Sequence, residues 1–137
     1  MSEKRDKIDH IGIAVPHLKE AVRLYSSLLG IEPDHEEEIQ EQKVRTAFYE
    51  IGESHFELLE PTHPESPIAK FLEKRGPGIH HICIQVQGIE KRLEELKAQG
   101  IQLIDEKPRK GAHGKKVAFV HPKSTGGVLL ELSEKCN

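Results

Sequence analysis

Two stretches of the chain place apolar residues at alternate positions behind a histidine, which is the pattern of a half-buried β-strand. They are DHIGIAV, beginning at Asp9, and HHICIQV, beginning at His80. Each is followed by apolar residues at helical spacing, with Leu28 among them in the first case. A glycine suited to end a helix comes next, Gly30 in the first case and Gly100 in the second. The sequence therefore predicts a strand followed by a helix in each half of the chain.

The similarity between the two halves continues beyond the helices. The segment VRTAFY at 44–49 matches KVAFV at 116–120, and HFELLE at 55–60 matches LLELSE at 129–134. Asp9 and His80 are 71 residues apart, and Glu57 and Glu131 are 74 apart. We therefore expect an α+β fold of two repeated modules within a single domain, 1–137. Each module, at about 6–62 and 78–134, is expected to contain a strand, a helix and then two or three strands.

The segment between the modules predicts a short linking helix at about 66–75. Ser66 is a favourable N-cap, Pro67 is favoured at the first helical position, and Ile68 begins an apolar face. The acidic run Glu36-Glu37-Glu38 predicts a solvated loop instead.

Composition and charge narrow the class of protein. The 137 residues suit one domain. Basic and acidic residues are nearly balanced, with 20 Lys plus Arg against 23 Asp plus Glu, and only 4% of residues are aromatic, which leaves little for a nucleic-acid surface. No apolar stretch approaches the roughly 20 residues that span a bilayer, and no apolar run follows the charged start MSEKRDK. Cys83 and Cys136 form neither a disulfide framework nor a CxxC pair. We expect a cytoplasmic protein that binds neither nucleic acid nor membranes.

The candidate chemistry lies in two duplicated polar pairs. His10 and His81 occupy the two opening strands, and Glu57 and Glu131 occupy two closing strands. A lone histidine in a strand is usually a hydrogen-bonded structural residue, and a lone glutamate usually faces solvent. Duplication of both at matched positions favours a divalent metal site at the centre of the repeat, because buried charges persist mainly when they are paired or bound to metal.

The other seven histidines are not expected to bind metal. By strand alternation His80 points to the face opposite His81. Most of the remaining six are expected to be solvated; they are His17, His35, His55, His63, His113 and His121.

Five motifs together resemble the vicinal oxygen chelate superfamily and, within it, the methylmalonyl-CoA epimerase family. They are DHIGIAV at 9–15, ELLEP at 57–61, SPIAKFLEKRG at 66–76, GIHHI at 78–82 and HPKSTGGVLLEL at 121–132. The resemblance implies a glyoxalase-like fold, in which two repeated βαβββ modules form a curved mixed sheet around a metal centre. It also implies a CoA thioester substrate and a homodimer. It also implies one divalent ion per site, of cobalt, zinc, manganese or nickel, with ligands on His10, Glu57, His81 and Glu131.

The implied activity is that of an isomerase that interconverts (R)- and (S)-methylmalonyl-CoA by metal-assisted removal and return of the α-proton. Glu131 is the favoured acid/base and Glu57 the weaker candidate, because Thr46 stands where some family members have a glutamate. Substrate contacts are expected more weakly at four residues, which are Thr46, Lys123, Ser124 and Thr125.

Two alternatives stay open. Glu57 replaces a glutamine that is frequent in the family, and the resulting His, Glu, His, Glu set resembles that of bacterial-type glyoxalase I. A protein of the same fold that binds a small ligand or confers resistance without catalysis is the other alternative.

Overall fold

The computed structural model describes residues 6–111 and 114–136. Two compact units are distinguished: the N-terminal unit, His10–His80, and the C-terminal unit, which comprises the described residues within 1–9 and 81–137. The α-helices and β-strands follow in chain order: β1 (Lys7–Ala14), α1 (Leu18–Leu29), β2 (His35–Ile39), β3 (Val44–Ile51), β4 (Ser54–Pro61), α2 (Pro67–Arg75), β5 (Gly78–Gln85), α3 (Ile89–Ala98), β6 (Arg109–Lys110), β7 (Lys116–Val120) and β8 (Leu130–Glu134).

In the N-terminal unit the strands lie in the order β2-β3-β4-β1, with β1 parallel to β4 and the other neighbours antiparallel. Strand alternation directs one face of this sheet against α1, and Tyr49 is fully buried there. The Tyr49 hydroxyl donates to the Val22 carbonyl at 3.0 Å and lies 2.9 Å from Ser26 Oγ. The core of this face contains Ile13, Val15, Leu18, Ala21, Ala47, Tyr49 and Leu58.

The C-terminal unit has the same connectivity. Its strands lie in the order β5-β8-β7-β6, with β5 parallel to β8 and the other neighbours antiparallel. Helix α3 supplies Ile89 and Leu93 to a core shared with Val86, Ala118, Val120 and Leu132. The matching topology confirms the predicted α+β class and the predicted repeat, whereas the exact module limits stay a prediction.

Helices α1 and α3 both end at a glycine that adopts a left-handed conformation, as expected. Gly30 has φ 70° and follows α1 directly, whereas Gly100 has φ 85° and lies one residue further beyond α3. Non-glycine residues rarely adopt these angles, so the two glycines fix where the helices stop.

Helix α2 occupies Pro67–Arg75, in the segment predicted to be helical. Ser66 is fully buried, and its Oγ accepts a hydrogen bond from the backbone N–H of Ile68 at 3.1 Å. Phe71 on this helix packs edge-to-face against His80, with ring centroids 5.1 Å apart. His80 therefore packs on the helix.

Two expectations about the N-terminal unit were wrong. The acidic run Glu36-Glu37-Glu38 forms the middle of strand β2, paired with β3, rather than a loop. Charged side chains are common on such edge strands because they discourage pairing with other chains, and Arg45 here bonds to Glu38 at 3.3 Å. Leu28, expected on the apolar face of α1, is 66% exposed.

Within the described ranges, no helix has the length and apolar character needed to cross a bilayer.

Candidate functional site

The N-terminal unit contains the first of the two predicted histidine and glutamate pairs. His10 lies on β1 and Glu57 on β4, where the parallel register sets Glu57 beside Gly12, two residues beyond His10. Both side chains therefore project from the sheet face opposite α1. His10 Nε2 is 3.7 Å from Glu57 Oε2, and only 11% and 16% of the two side chains is exposed.

The C-terminal unit repeats this arrangement with the second pair. His81 lies on β5 and Glu131 on β8, where the register sets Glu131 beside Cys83. His81 Nε2 is 3.4 Å from Glu131 Oε1, and 9% and 12% of the two side chains is exposed. Each unit thus presents one imidazole and one carboxylate in contact at matched positions.

Each pair has the chemistry and spacing of metal ligands. Divalent transition metals bind imidazole nitrogen and carboxylate oxygen at about 2.0–2.2 Å, which sets neighbouring donors about 3.0–3.5 Å apart. The observed separations of 3.4 Å and 3.7 Å lie at or close to this range. Small side-chain adjustments would therefore let either pair chelate an ion.

An aromatic residue stands opposite each glutamate on the neighbouring antiparallel strand: Phe48 opposite Glu57, and Phe119 opposite Glu131. In the C-terminal unit, the ring of His81 packs edge-to-face with Phe119, at 6.3 Å between centroids. Phe48 and Phe119 therefore place an apolar ring beside each carboxylate.

His55 lies in the candidate site, although the sequence placed it among six histidines of which most were expected to be solvated. Its side chain is only 24% exposed, and its Nε2 is 3.5 Å from Glu57 Oε2. Its ring stacks on His10 at 5.0 Å and contacts Phe48 at 5.5 Å. Strand alternation could have identified it, since His55 precedes Glu57 by two residues and so shares its face. His113, from the same group of histidines, lies outside the described residues.

The thiol of Cys83 lies on the same sheet face as Glu131 and is fully buried. It donates a hydrogen bond to Ser133 Oγ at 3.3 Å. Burial, with a further contribution from the negative charge of Glu131, raises the pKa of Cys83 far above its ordinary value. Cys83 is therefore a neutral thiol beside the candidate ligands.

Thr46, a weak candidate for substrate contact, is fully buried on β3. Its hydroxyl donates to the backbone carbonyl of Glu37 at 3.2 Å. The register places Thr46 beside Leu59, two residues beyond Glu57, so Thr46 belongs to the same face of the sheet as Glu57.

The other three candidates for substrate contact lie in or directly after a short 3-10 helix, Pro122–Ser124. Ser124 Oγ accepts from the backbone N–H of Gln102 at 2.8 Å, and the Thr125 hydroxyl contacts the carbonyls of Pro122 and Val128. Both hydroxyls thus stabilise the local backbone, whereas Lys123 is exposed.

This chain is similar to known proteins over most of its length. Residues 9–119 match the model of the Glyoxalase/Bleomycin resistance protein/Dioxygenase superfamily. The chain is 46% identical over 129 residues to the uncharacterized protein YqjC of Bacillus subtilis, covering 94% of this chain and 92% of that protein. It is 42% identical over 130 residues to the mitochondrial methylmalonyl-CoA epimerase of Dictyostelium discoideum, covering 94% of this chain and 78% of the relative.

A solved structure is also similar to this chain over most of its length. A single-residue variant of Streptomyces coelicolor methylmalonyl-CoA epimerase, in complex with 2-nitronate-propionyl-CoA, has a TM-score of 0.86 and 37% identity to this chain. The match covers 95% of this chain and 94% of that one.

Proposed function

The chain belongs to the Glyoxalase/Bleomycin resistance protein/Dioxygenase superfamily, and we propose that within it the chain is a metal-dependent methylmalonyl-CoA epimerase. The observation that carries this proposal is the matched contact of His10 with Glu57 and of His81 with Glu131, at 3.7 Å and 3.4 Å. It is supported by 42% identity to a methylmalonyl-CoA epimerase over 94% of the chain.

We propose that His10, Glu57, His81 and Glu131 hold one divalent ion of cobalt, zinc, manganese or nickel. Two imidazole nitrogens and two carboxylates form a donor set that would suit any of these metals. When bound, the ion supplies Lewis-acid stabilisation of the negative charge that develops on the thioester oxygen.

The reaction requires proton transfer at the carbon between the thioester and the carboxylate of the substrate. A deprotonated carboxylate takes the α-proton, and the C–H bonding electrons pass into the thioester enolate. Inversion requires a second acid/base group, which returns a proton to the opposite face of the planar enolate. We propose Glu131 as one acid/base and keep Glu57 as the weaker second candidate, since the hydroxyl of Thr46 is not basic enough to act alone.

We propose the CoA thioester as the substrate, with weaker contacts from Thr46, Lys123, Ser124 and Thr125. The CoA analogue bound to the Streptomyces coelicolor relative supports this chemical class.

We also propose a homodimer, which is supported by exposed apolar side chains on and after α1, with Leu24 56%, Leu28 66% and Ile31 41% exposed. A monomeric mass by light scattering at micromolar concentration would refute it. A cytoplasmic location stays a prediction.

Exchange of the substrate α-proton with deuterated solvent tests the proposed activity. The metal-free protein is expected to be inactive, and addition of Co²⁺, Zn²⁺, Mn²⁺ or Ni²⁺ should start both exchange and epimerisation of methylmalonyl-CoA. The hemithioacetal of methylglyoxal and glutathione is assayed in parallel. Turnover of that substrate alone would indicate a glyoxalase I, and absence of exchange with all four metals would indicate a binding protein.

A further inference from the structure

We propose that His55 is a positioning residue that fixes the orientation of the Glu57 carboxylate as a metal ligand. This inference rests on the proposed function, because Glu57 is one of the four proposed ligands.

The contacts of His55 hold its imidazole firmly beside Glu57. Its Nε2 lies 3.5 Å from Glu57 Oε2, the same oxygen that lies 3.7 Å from His10 Nε2. The ring is stacked on His10, with centroids 5.0 Å apart, and contacts Phe48 at 5.5 Å on another side. These two ring contacts restrict rotation of the imidazole, so its N–H can act as a donor of fixed direction.

The matched position in the other unit has no imidazole. In the repeat, His55 corresponds to Leu129, whose side chain has no hydrogen-bond donor. His81 instead packs directly on Phe119, at 6.3 Å. An imidazole therefore lies between histidine and phenylalanine in the N-terminal unit but not at the matched place in the C-terminal unit.

The difference has a chemical consequence. Groups that hydrogen-bond to a metal ligand fix its orientation, and their loss weakens metal binding about 10–100-fold. Because Glu57 is a proposed ligand, loss of the His55 imidazole is expected to weaken metal binding.

Three variants of the full-length protein test the contact. His55→Leu installs the residue found at the matched position, His55→Gln keeps an N–H donor, and His35→Leu is the control. His35 also stacks on Phe48, at 5.7 Å, but its Nε2 bonds to Glu37 rather than to Glu57.

The measurement is titration of each metal-free variant with Co²⁺ alone, followed by visible absorption of the bound ion and by calorimetry. We expect about 10–100-fold weaker binding and an altered spectrum for His55→Leu. His55→Gln should recover most of the affinity, and His35→Leu should match the parent protein.

Unchanged Co²⁺ affinity and spectrum in both His55 variants would overturn the proposal. An equal loss of Co²⁺ affinity in His35→Leu would also overturn it, because the effect would then come from packing of the rings around Phe48. His10→Ala separates these results from failure of the proposed function: if it too leaves Co²⁺ binding intact, the metal site itself is misassigned.

Discussion

Cys83 lies directly opposite Glu131 on the parallel strands β5 and β8 of the C-terminal unit. The thiol is fully buried, and both its burial and the nearby carboxylate charge oppose ionisation, which raises the pKa of Cys83. The corresponding residue in the N-terminal half is Gly12, so this thiol is a feature of one half only.

The raised pKa predicts a loss of stability at alkaline pH. Below the ordinary thiol pKa of 9.0 the folded and unfolded states are both protonated, and this contribution to stability is complete. Above it the unfolded thiol releases its proton and the folded thiol does not, so the free energy of unfolding falls by up to about 1.4 kcal/mol per pH unit. Urea unfolding of Cys83→Ser should show a shallower decline above pH 9; an identical slope in both proteins would contradict the prediction.

Burial also predicts selective thiol reactivity. A thiol reagent such as DTNB should modify only the exposed Cys136 in the native protein and both cysteines in denaturant. The control is Cys136→Ser, which should show almost no reaction until it is unfolded. Rapid native modification of Cys136→Ser would mean that the strands around Cys83 open readily.

The repeat, helices α1 and α3 and the two histidine and glutamate pairs could be predicted from the sequence because each follows a local pattern that occurs twice in the chain. Helix α2 could be predicted from Ser66 and Pro67 at its start. Strand β2 could not, since three consecutive glutamates have neither alternation nor apolar character, and their strand conformation depends on pairing with β3. A residue is equally hard to identify from the sequence when its partners lie on a neighbouring strand.

His55 shows this limit most clearly. Its own neighbours in sequence suggest an ordinary strand end, and its partners His10 and Phe48 come from two other strands, β1 and β3. Only its spacing of two from Glu57 is visible in the sequence. The difference between His55 and Leu129 is visible in the aligned repeat, but the contact of His55 with Glu57 and His10 follows only from the tertiary structure.

Ser66→Ala should destabilise the protein. The Ser66 hydroxyl is fully buried and caps α2 by accepting from the N–H of Ile68 at 3.1 Å. Loss of an N-cap costs about 0.5–2 kcal/mol, and urea unfolding should detect a decrease of about 1–2 kcal/mol. Ser27→Ala, at an exposed position in α1, is the matched control and should leave the free energy of unfolding unchanged or slightly higher.

Tyr49→Phe should cost about 1–2 kcal/mol in the same assay. The fully buried hydroxyl donates to the Val22 carbonyl and contacts Ser26 Oγ, and its removal takes away a hydrogen-bonding partner inside the core. Tyr25→Phe is the comparison, because Tyr25 is only partly buried and should change stability by less than about 0.5 kcal/mol. Equal effects of the two substitutions would show that the Tyr49 hydroxyl contributes nothing specific.

Glu57→Gln and Glu131→Gln should separate metal binding from proton transfer. The glutamine amide oxygen keeps the shape of the ligand and can bind an ion, but an amide does not accept a proton at neutral pH. We therefore expect Glu131→Gln to lower kcat about 10²–10⁴-fold at full metal occupancy. Glu57→Gln, in contrast, should retain most of its turnover. Metal content is measured on the assayed sample, so loss of the ion is not mistaken for loss of the base. Full turnover of Glu57→Gln with normal metal content would make Glu57 a ligand only, whereas a loss as large as that of Glu131→Gln would place both carboxylates in the proton transfer.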